Sequence, residues 1–209
     1  MSNITAIMAE ADTAVRVESP LYHANLPALA KKNQQGEVVL REKALLGHLV
    51  LRGNASNELF AKTVSKVLGV ALPTTACGST ENNQVLVQWL APDEWLIITE
   101  SGKEEQVQAQ LREQLCGHYS LVDVSGGQTV LAISGPKAEM VLRKSCHYDV
   151  HPSSLPTGKC VGTTFAKTTV LLRRTGADSF EMVVRRSFSD YVWMWLQDAS
   201  REYGLVIEK

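Results

Sequence analysis

Val85-Leu86-Val87-Gln88-Trp89-Leu90-Ala91-Pro92-Asp93-Glu94-Trp95-Leu96-Ile97-Ile98 reads as two strands joined by a tight reversal. Val85 to Leu90 and Trp95 to Thr99 carry the aliphatic and aromatic residues that suit a pleated, half-buried surface, and the proline and acids of Ala91-Pro92-Asp93-Glu94 suit the turn between them. The pattern returns 85 residues further on. Val170-Leu171-Leu172-Arg173-Arg174-Thr175-Gly176-Ala177-Asp178-Ser179-Phe180 lies over Val85 to Trp95, so that Asp178 answers Asp93 and Phe180 answers Trp95. Self-similarity at this scale sets the architecture, because each copy must bury the same kind of face.

The flanks of the two hairpins also correspond. Before the first, Leu46 to Leu51 is strand-like, Gly53-Asn54-Ala55-Ser56 carries cap residues, and Phe60, Val64, Val67 and Leu68 recur at helical steps until Gly69. After it, Ser101 with Glu104 three residues later reads as a capping box, opening a helix with Val107, Leu111 and Leu115 on one stripe. Tyr119 to Val124 then closes the unit as a strand. In the second copy Thr129 to Ile133 is a strand, and Gly135-Pro136-Lys137-Ala138 opens a helix, with Gly135 answering Gly53. Asp149 to Ser154 parallels Val70 to Thr75, Val192 and Leu196 fall on Val107 and Leu111, and Leu205 to Ile207 supplies the closing strand. Each half therefore reads β-α-β-β-α-β, the split ferredoxin-like order. The expected fold is α+β, with two ferredoxin-like repeats on antiparallel sheets. Its expected divisions are an N-terminal arm at 1–44, a first half at 45–125 and a second at 126–209.

Composition narrows the function. The chain has 209 residues, 44% hydrophobic, which is enough for a sizeable core. Its 21 basic side chains nearly cancel its 22 acidic ones, so no overall field draws in nucleic acid or an anionic membrane. Met1-Ser2-Asn3-Ile4-Thr5 lacks the basic start of a secretory signal and no apolar run approaches a membrane span, so a soluble cytoplasmic protein is expected. Cys77, Cys116, Cys146 and Cys160 form no C-x-x-C pair, and reduced thiols are the expectation.

Motifs for chemistry are sparse. Cys146-His147-Tyr148-Asp149-Val150-His151 offers metal-ligand types, but Pro152 disfavours the helix that would present both histidines together, and a surface loop is the better reading. Ser134-Gly135-Pro136-Lys137 has S-x-x-K spacing without a K-T-G partner, and reads as a helix cap. No glycine-rich phosphate cradle occurs. These observations leave no catalytic, cofactor-binding or metal residue to name in this chain. Arg173, Arg174, Arg185 and Arg186 fall on or beside the second hairpin, where they suggest a basic patch for carboxylates, against solvated edge charges as the plain alternative. In the last helix Phe188, Val192, Trp195, Leu196, Ala199 and Tyr203 form the inward stripe, leaving Trp193 and Met194 as a flank for contact with a neighbour, against burial within the chain.

The first hairpin, Ser134 to Ala138 and Arg174 to Glu181 resemble the folate-binding aminomethyltransferase (glycine cleavage T-protein) superfamily. Within it, Glu18-Ser19-Pro20-Leu21, Leu51-Arg52-Gly53 and Tyr191-Val192-Trp193-Met194-Trp195-Leu196 most resemble sarcosine oxidase gamma subunits. The resemblance implies a folded subunit without a prosthetic group, beside an alpha subunit with NAD and tetrahydrofolate, a beta subunit with FAD and FMN, and a delta subunit with zinc. Such a complex demethylates sarcosine to glycine, yielding hydrogen peroxide with methylenetetrahydrofolate or formaldehyde. The resemblance also places paired aspartates before the first hairpin in catalytic members, where Asn83-Gln84 stands here, and amides do not replace a carboxylate base. The longer G-Y-T-G-E loop of those members is cut to Thr175-Gly176-Ala177-Asp178. The expected role is assembly and stabilisation of the complex; a docking surface left bare would favour self-association of the isolated chain, whose oligomeric state the sequence does not fix. The alternatives are an autonomous folate-dependent aminomethyl or methyl transferase and a stand-alone folate-binding protein of the superfamily.

Overall fold

The computed structural model describes residues 17–32 and 35–208. In chain order these form α1 (Leu26–Lys32), β1 (Val38–Lys43), β2 (Gly47–Arg52), α2 (Glu58–Leu68), β3 (Ser79–Glu81), β4 (Val85–Ala91), β5 (Glu94–Thr99), α3 (Glu104–Gln114) and β6 (Ser120–Asp123). The second series is β7 (Gln128–Ser134), α4 (Ala138–Arg143), β8 (Cys160–Phe165), β9 (Thr168–Gly176), β10 (Ser179–Arg185), α5 (Ser189–Ser200) and β11 (Leu205–Glu208). A five-stranded antiparallel sheet runs β3-β4-β5-β2-β6, and a six-stranded sheet runs β11-β1-β7-β10-β9-β8. The offset of the repeat survives in three dimensions: β5, α3 and β6 begin at 94, 104 and 120, and β10, α5 and β11 at 179, 189 and 205.

Local chemistry explains the element ends. The Asn57 side chain accepts from the backbone N–H groups of Leu59 and Phe60 at 3.0 and 3.3 Å, starting α2, and Gly69 ends it with φ +68°. Helix α3 starts at Glu104 rather than at a Ser101 capping box, because Gly102 turns the chain at φ +75° and Lys103 takes the cap position without a side-chain bond. Gly135 and Gly53 match in the repeat for different reasons. A Cβ on Gly135, at φ +107°, would sit 2.5 Å from the Glu37 carbonyl oxygen, and one on Gly53 would sit 2.4 Å from the Phe60 ring.

Alternation along the strands sorts side chains to two faces. Leu49, Leu51, Val87, Trp95 and Ile97 meet Phe60, Val64 and Leu68 of α2 and Leu111 of α3. Leu131, Ile133, Leu172, Phe180 and Met182 likewise meet Val141 and Leu142 of α4 and Val192, Trp193 and Leu196 of α5. The opposite faces bring Leu96 and Ile98 onto Val130 and Val183. The result is four layers, helices outside and two sheets back to back within.

Two departures from the sequence reading matter. Residues 38–43, read as part of a loose arm, form a full strand between β7 and β11, antiparallel to the first and parallel to the second. Val38 and Leu40 are buried there, while the charged Arg41-Glu42-Lys43 masks the period-2 signal. Strands β3 and β8, one before each hairpin, were not anticipated. They lie where the halves meet: the Cys160 N–H donates to the Cys77 carbonyl at 2.8 Å, and the Ser79 hydroxyl to the Gly158 carbonyl at 2.5 Å.

Candidate functional site

The sheets close on a small cleft of about 180 Å³, lined by Lys43 of β1, Glu81 of β3, Gln88 of β4, Thr99 of β5, Arg173 of β9 and Glu181 of β10, with Leu46, Val85, Leu86, Ile98, Val130 and Val183 as its apolar wall. Arg173 and Glu181 are directly opposed in the ladder and so share a face. Arg173 Nη2 donates to Glu181 Oε2 at 2.8 Å and to Glu81 Oε2 at 2.9 Å, and Lys43 Nζ donates to Glu181 Oε1. Burial alone would raise the Glu181 carboxyl, but the hydrogen bonds and charges of Lys43 and Arg173 outweigh it and hold the group below its ordinary range. Burial likewise opposes the charge on Arg173, and Glu81 and Glu181 outweigh that, keeping the guanidinium above its usual value. The four charges cancel.

Arg173 and Arg174 are therefore not the surface patch expected of them. Arg173 is consumed in the cleft. Arg174 points to the helix side and is 1% exposed, with Nη2 donating to Glu139 Oε2 at 2.8 Å and to the Val150 carbonyl at 2.5 Å, Nη1 donating to the Ala177 carbonyl, and the guanidinium 4.4 Å from the centre of the Phe180 ring. Neighbours in a strand face opposite ways, and here each way leads into the protein. Arg185 and Arg186 are exposed, and Arg186 Nη1 donates to the Glu18 carbonyl at 3.3 Å.

Helix α5 is corrected at its two tryptophans. Trp193, expected on the flank, is buried at 5% exposure, while Met194 is exposed at 61%. Trp195, expected inward, is 38% exposed; its ring packs on Tyr191 at 5.8 Å with a 41° tilt, and its Nε1–H donates to Ser145 Oγ at 2.6 Å. Val192 and Leu196 are fully buried as the inward stripe required, whereas Phe188, in a 3-10 turn ahead of the helix, lies outside it. Met194, Trp195 and Phe188 remain at the surface.

The remaining motifs are structural. His151 Nδ1 lies 2.7 Å from Ser153 Oγ, and Asp149 accepts from the His151 N–H and the Ser154 hydroxyl, bracing the loop after α4. Among the described residues no three potential ligands gather for a metal, and no helix is long and apolar enough to cross a membrane. Ser134 ends β7, and Lys137 holds the cap position of α4 with no side-chain cap bond. Sequence reasoning missed Lys43, Glu81, Gln88 and Glu181. The odd-numbered register shared by Arg173 and Glu181 was the available signal.

The paired α-β-β-α halves have the aminomethyltransferase fold: glycine cleavage system aminomethyltransferase T from Bartonella henselae superposes with a TM-score of 0.63 at 15% identity, over 90% of this chain and 58% of that one. Residues 52–202 match the sarcosine oxidase, gamma subunit family, and the chain belongs to that family. It is 37% identical to sarcosine oxidase subunit gamma of Corynebacterium sp. (strain P-1), covering 92% of this chain and 93% of the relative, and 36% identical to the subunit from Arthrobacter sp., covering 89% and 91%. Heterotetrameric sarcosine oxidase from Corynebacterium sp. U-96, solved with pyrrole 2-carboxylate, contains a chain that superposes with a TM-score of 0.80 at 32% identity, covering 89% of this chain and 95% of that one.

Proposed function

We propose that this chain is a non-catalytic subunit that assembles and stabilises a sarcosine oxidase complex with alpha, beta and delta subunits in the cytoplasm. The reaction of that complex is the oxidative demethylation of sarcosine to glycine, with hydrogen peroxide and methylenetetrahydrofolate or formaldehyde as the other products. FAD, FMN, NAD, tetrahydrofolate and zinc belong to the partner subunits. The observation that carries the reading is the chemistry of the cleft: Glu81 and Glu181 are both committed to Arg173, and the amides Asn83 and Gln84 stand where the resemblance places paired aspartates.

The proposed docking surface uses what is left outside. Met194, Trp195 and Phe188 are left exposed on and just before α5, and the exposed Arg185 and Arg186 precede them in the chain; together they make the proposed rim, a composition suited to an interface. Covering that rim lowers the free energy of the assembled state by mass action. Coexpression with the flavin-bearing and folate-bearing subunits followed by size-exclusion chromatography tests the proposal. Coelution is expected, and Met194→Asp with Trp195→Asp should release the chain while leaving it folded. A monomer that never coelutes with those subunits refutes the proposal.

A further inference from the structure

The cleft between the sheets holds more than a closed set of ion pairs. Its two buried charges, Arg173 and Glu181, are each supplemented by a partner at the mouth: Glu81, whose side chain is 55% exposed, and Lys43, at 42%. Gln88 also lines the cleft, is 1% exposed, and has an Oε1 with no hydrogen-bond partner. Gln88 and Arg173 are equivalent positions of the repeat, brought to one cavity by the packing of the sheets. A buried carbonyl oxygen left without a donor is costly, and the site is one donor short.

We propose that this cleft binds a small zwitterionic amino acid, of the size of glycine or alanine, independently of the docking role. The ligand's carboxylate takes the place of the Glu81 carboxylate on Arg173. Its ammonium takes the place of Lys43 on Glu181 and supplies the donor that Gln88 Oε1 lacks. The class follows from what each end of the cleft can take: a lone carboxylate on Arg173 would leave Gln88 Oε1 without a donor, a lone ammonium would leave Arg173 unused, and a zwitterion serves both while exchanging two mouth charges for two of its own. Size agrees: the cleft volume of about 180 Å³ admits a molecule of a few heavy atoms, and Leu46, Ile98 and Val183 face any short aliphatic substituent.

Isothermal titration of the full chain with glycine and with L-alanine is the test, with acetate and methylammonium as single-charge controls. Saturable binding of the amino acids is expected, with each control at least about tenfold weaker because a buried charge-assisted bond is lost. Gln88→Met keeps the volume and removes the orphan oxygen, so the variant should fold and bind glycine about tenfold more weakly. No saturable heat with either amino acid, equal binding of a single-charge control, or undiminished binding by Gln88→Met would each overturn the proposal. Coelution with partner subunits is read separately, so failure here leaves the docking reading standing.

Discussion

In the first half the indole Nε1–H of Trp95 donates to the Pro73 carbonyl at 2.7 Å, and in the second Arg174 donates to the Val150 carbonyl at 2.5 Å. Both bonds anchor the loop that returns from the first helix of the half, from opposite strands of the equivalent hairpins. One copy fastens its loop with a neutral donor on a large apolar ring, and the other with a charge that must itself be satisfied inside. Position 95 has become Phe180 in the second copy, and the Arg174 guanidinium covers its ring. The repeat thus conserves a mechanical requirement and lets the chemistry that meets it change.

The largest test of this contrast is Arg174→Met. It leaves Glu139 with Arg143 alone and orphans the buried Val150 carbonyl, and should cost about 3–5 kcal/mol in urea unfolding. Glu139 is held below its ordinary range because, although burial alone would raise it, hydrogen bonds from Arg174 and Arg143 prevail; the variant should move that carboxyl upward, readable by NMR titration. Next comes Gly135→Ala, at about 2–4 kcal/mol, since it combines a left-handed backbone with a clash against backbone. Gly53→Ala meets only a ring and should cost about 1–2 kcal/mol; equal losses would break the distinction.

Trp95→Phe copies the second half into the first without the arginine and should cost about 1–2 kcal/mol for the orphaned Pro73 carbonyl. The smallest effect is on pH dependence. His48 of β2 is fully buried, where the second copy has Val130; burial lowers its pKa, and the Leu46 carbonyl and Asp123 only partly restore it. Below about pH 6.5 the unfolded chain takes up a proton that the folded chain refuses, so stability falls as pH falls until the folded pKa is reached. His48→Val should flatten the urea midpoint between about pH 6.5 and pH 5, before most carboxylates titrate.

Much of the fold was legible because hairpin periodicity and the shared offset reinforce one another. Trp95 and Phe180, Leu111 and Leu196 mark equivalent places by apolar character alone. The site was less legible. Arg173 reads the same in sequence whether solvated or buried; Glu181 faces it across the hairpin, but Lys43 comes from a distant strand of the same sheet and Glu81 from the other sheet, brought in only by the packing of the two. Trp193 and Trp195 exchanged roles because an amphipathic ring can sit at a boundary with its N–H bonded, as Trp195 does to Ser145.

Strand β1 has a consequence for biosynthesis. Leu40 pairs with Ile133 on one side and Ile207 on the other, so β1 emerges from the ribosome before either neighbour and gains its ladders one at a time, first with β7 and last with β11. The six-stranded sheet can be completed only after translation of β11, and such distant pairing makes for slow closure. In the interval the edge of β1 that β11 later covers stands open to the corresponding strand of another copy.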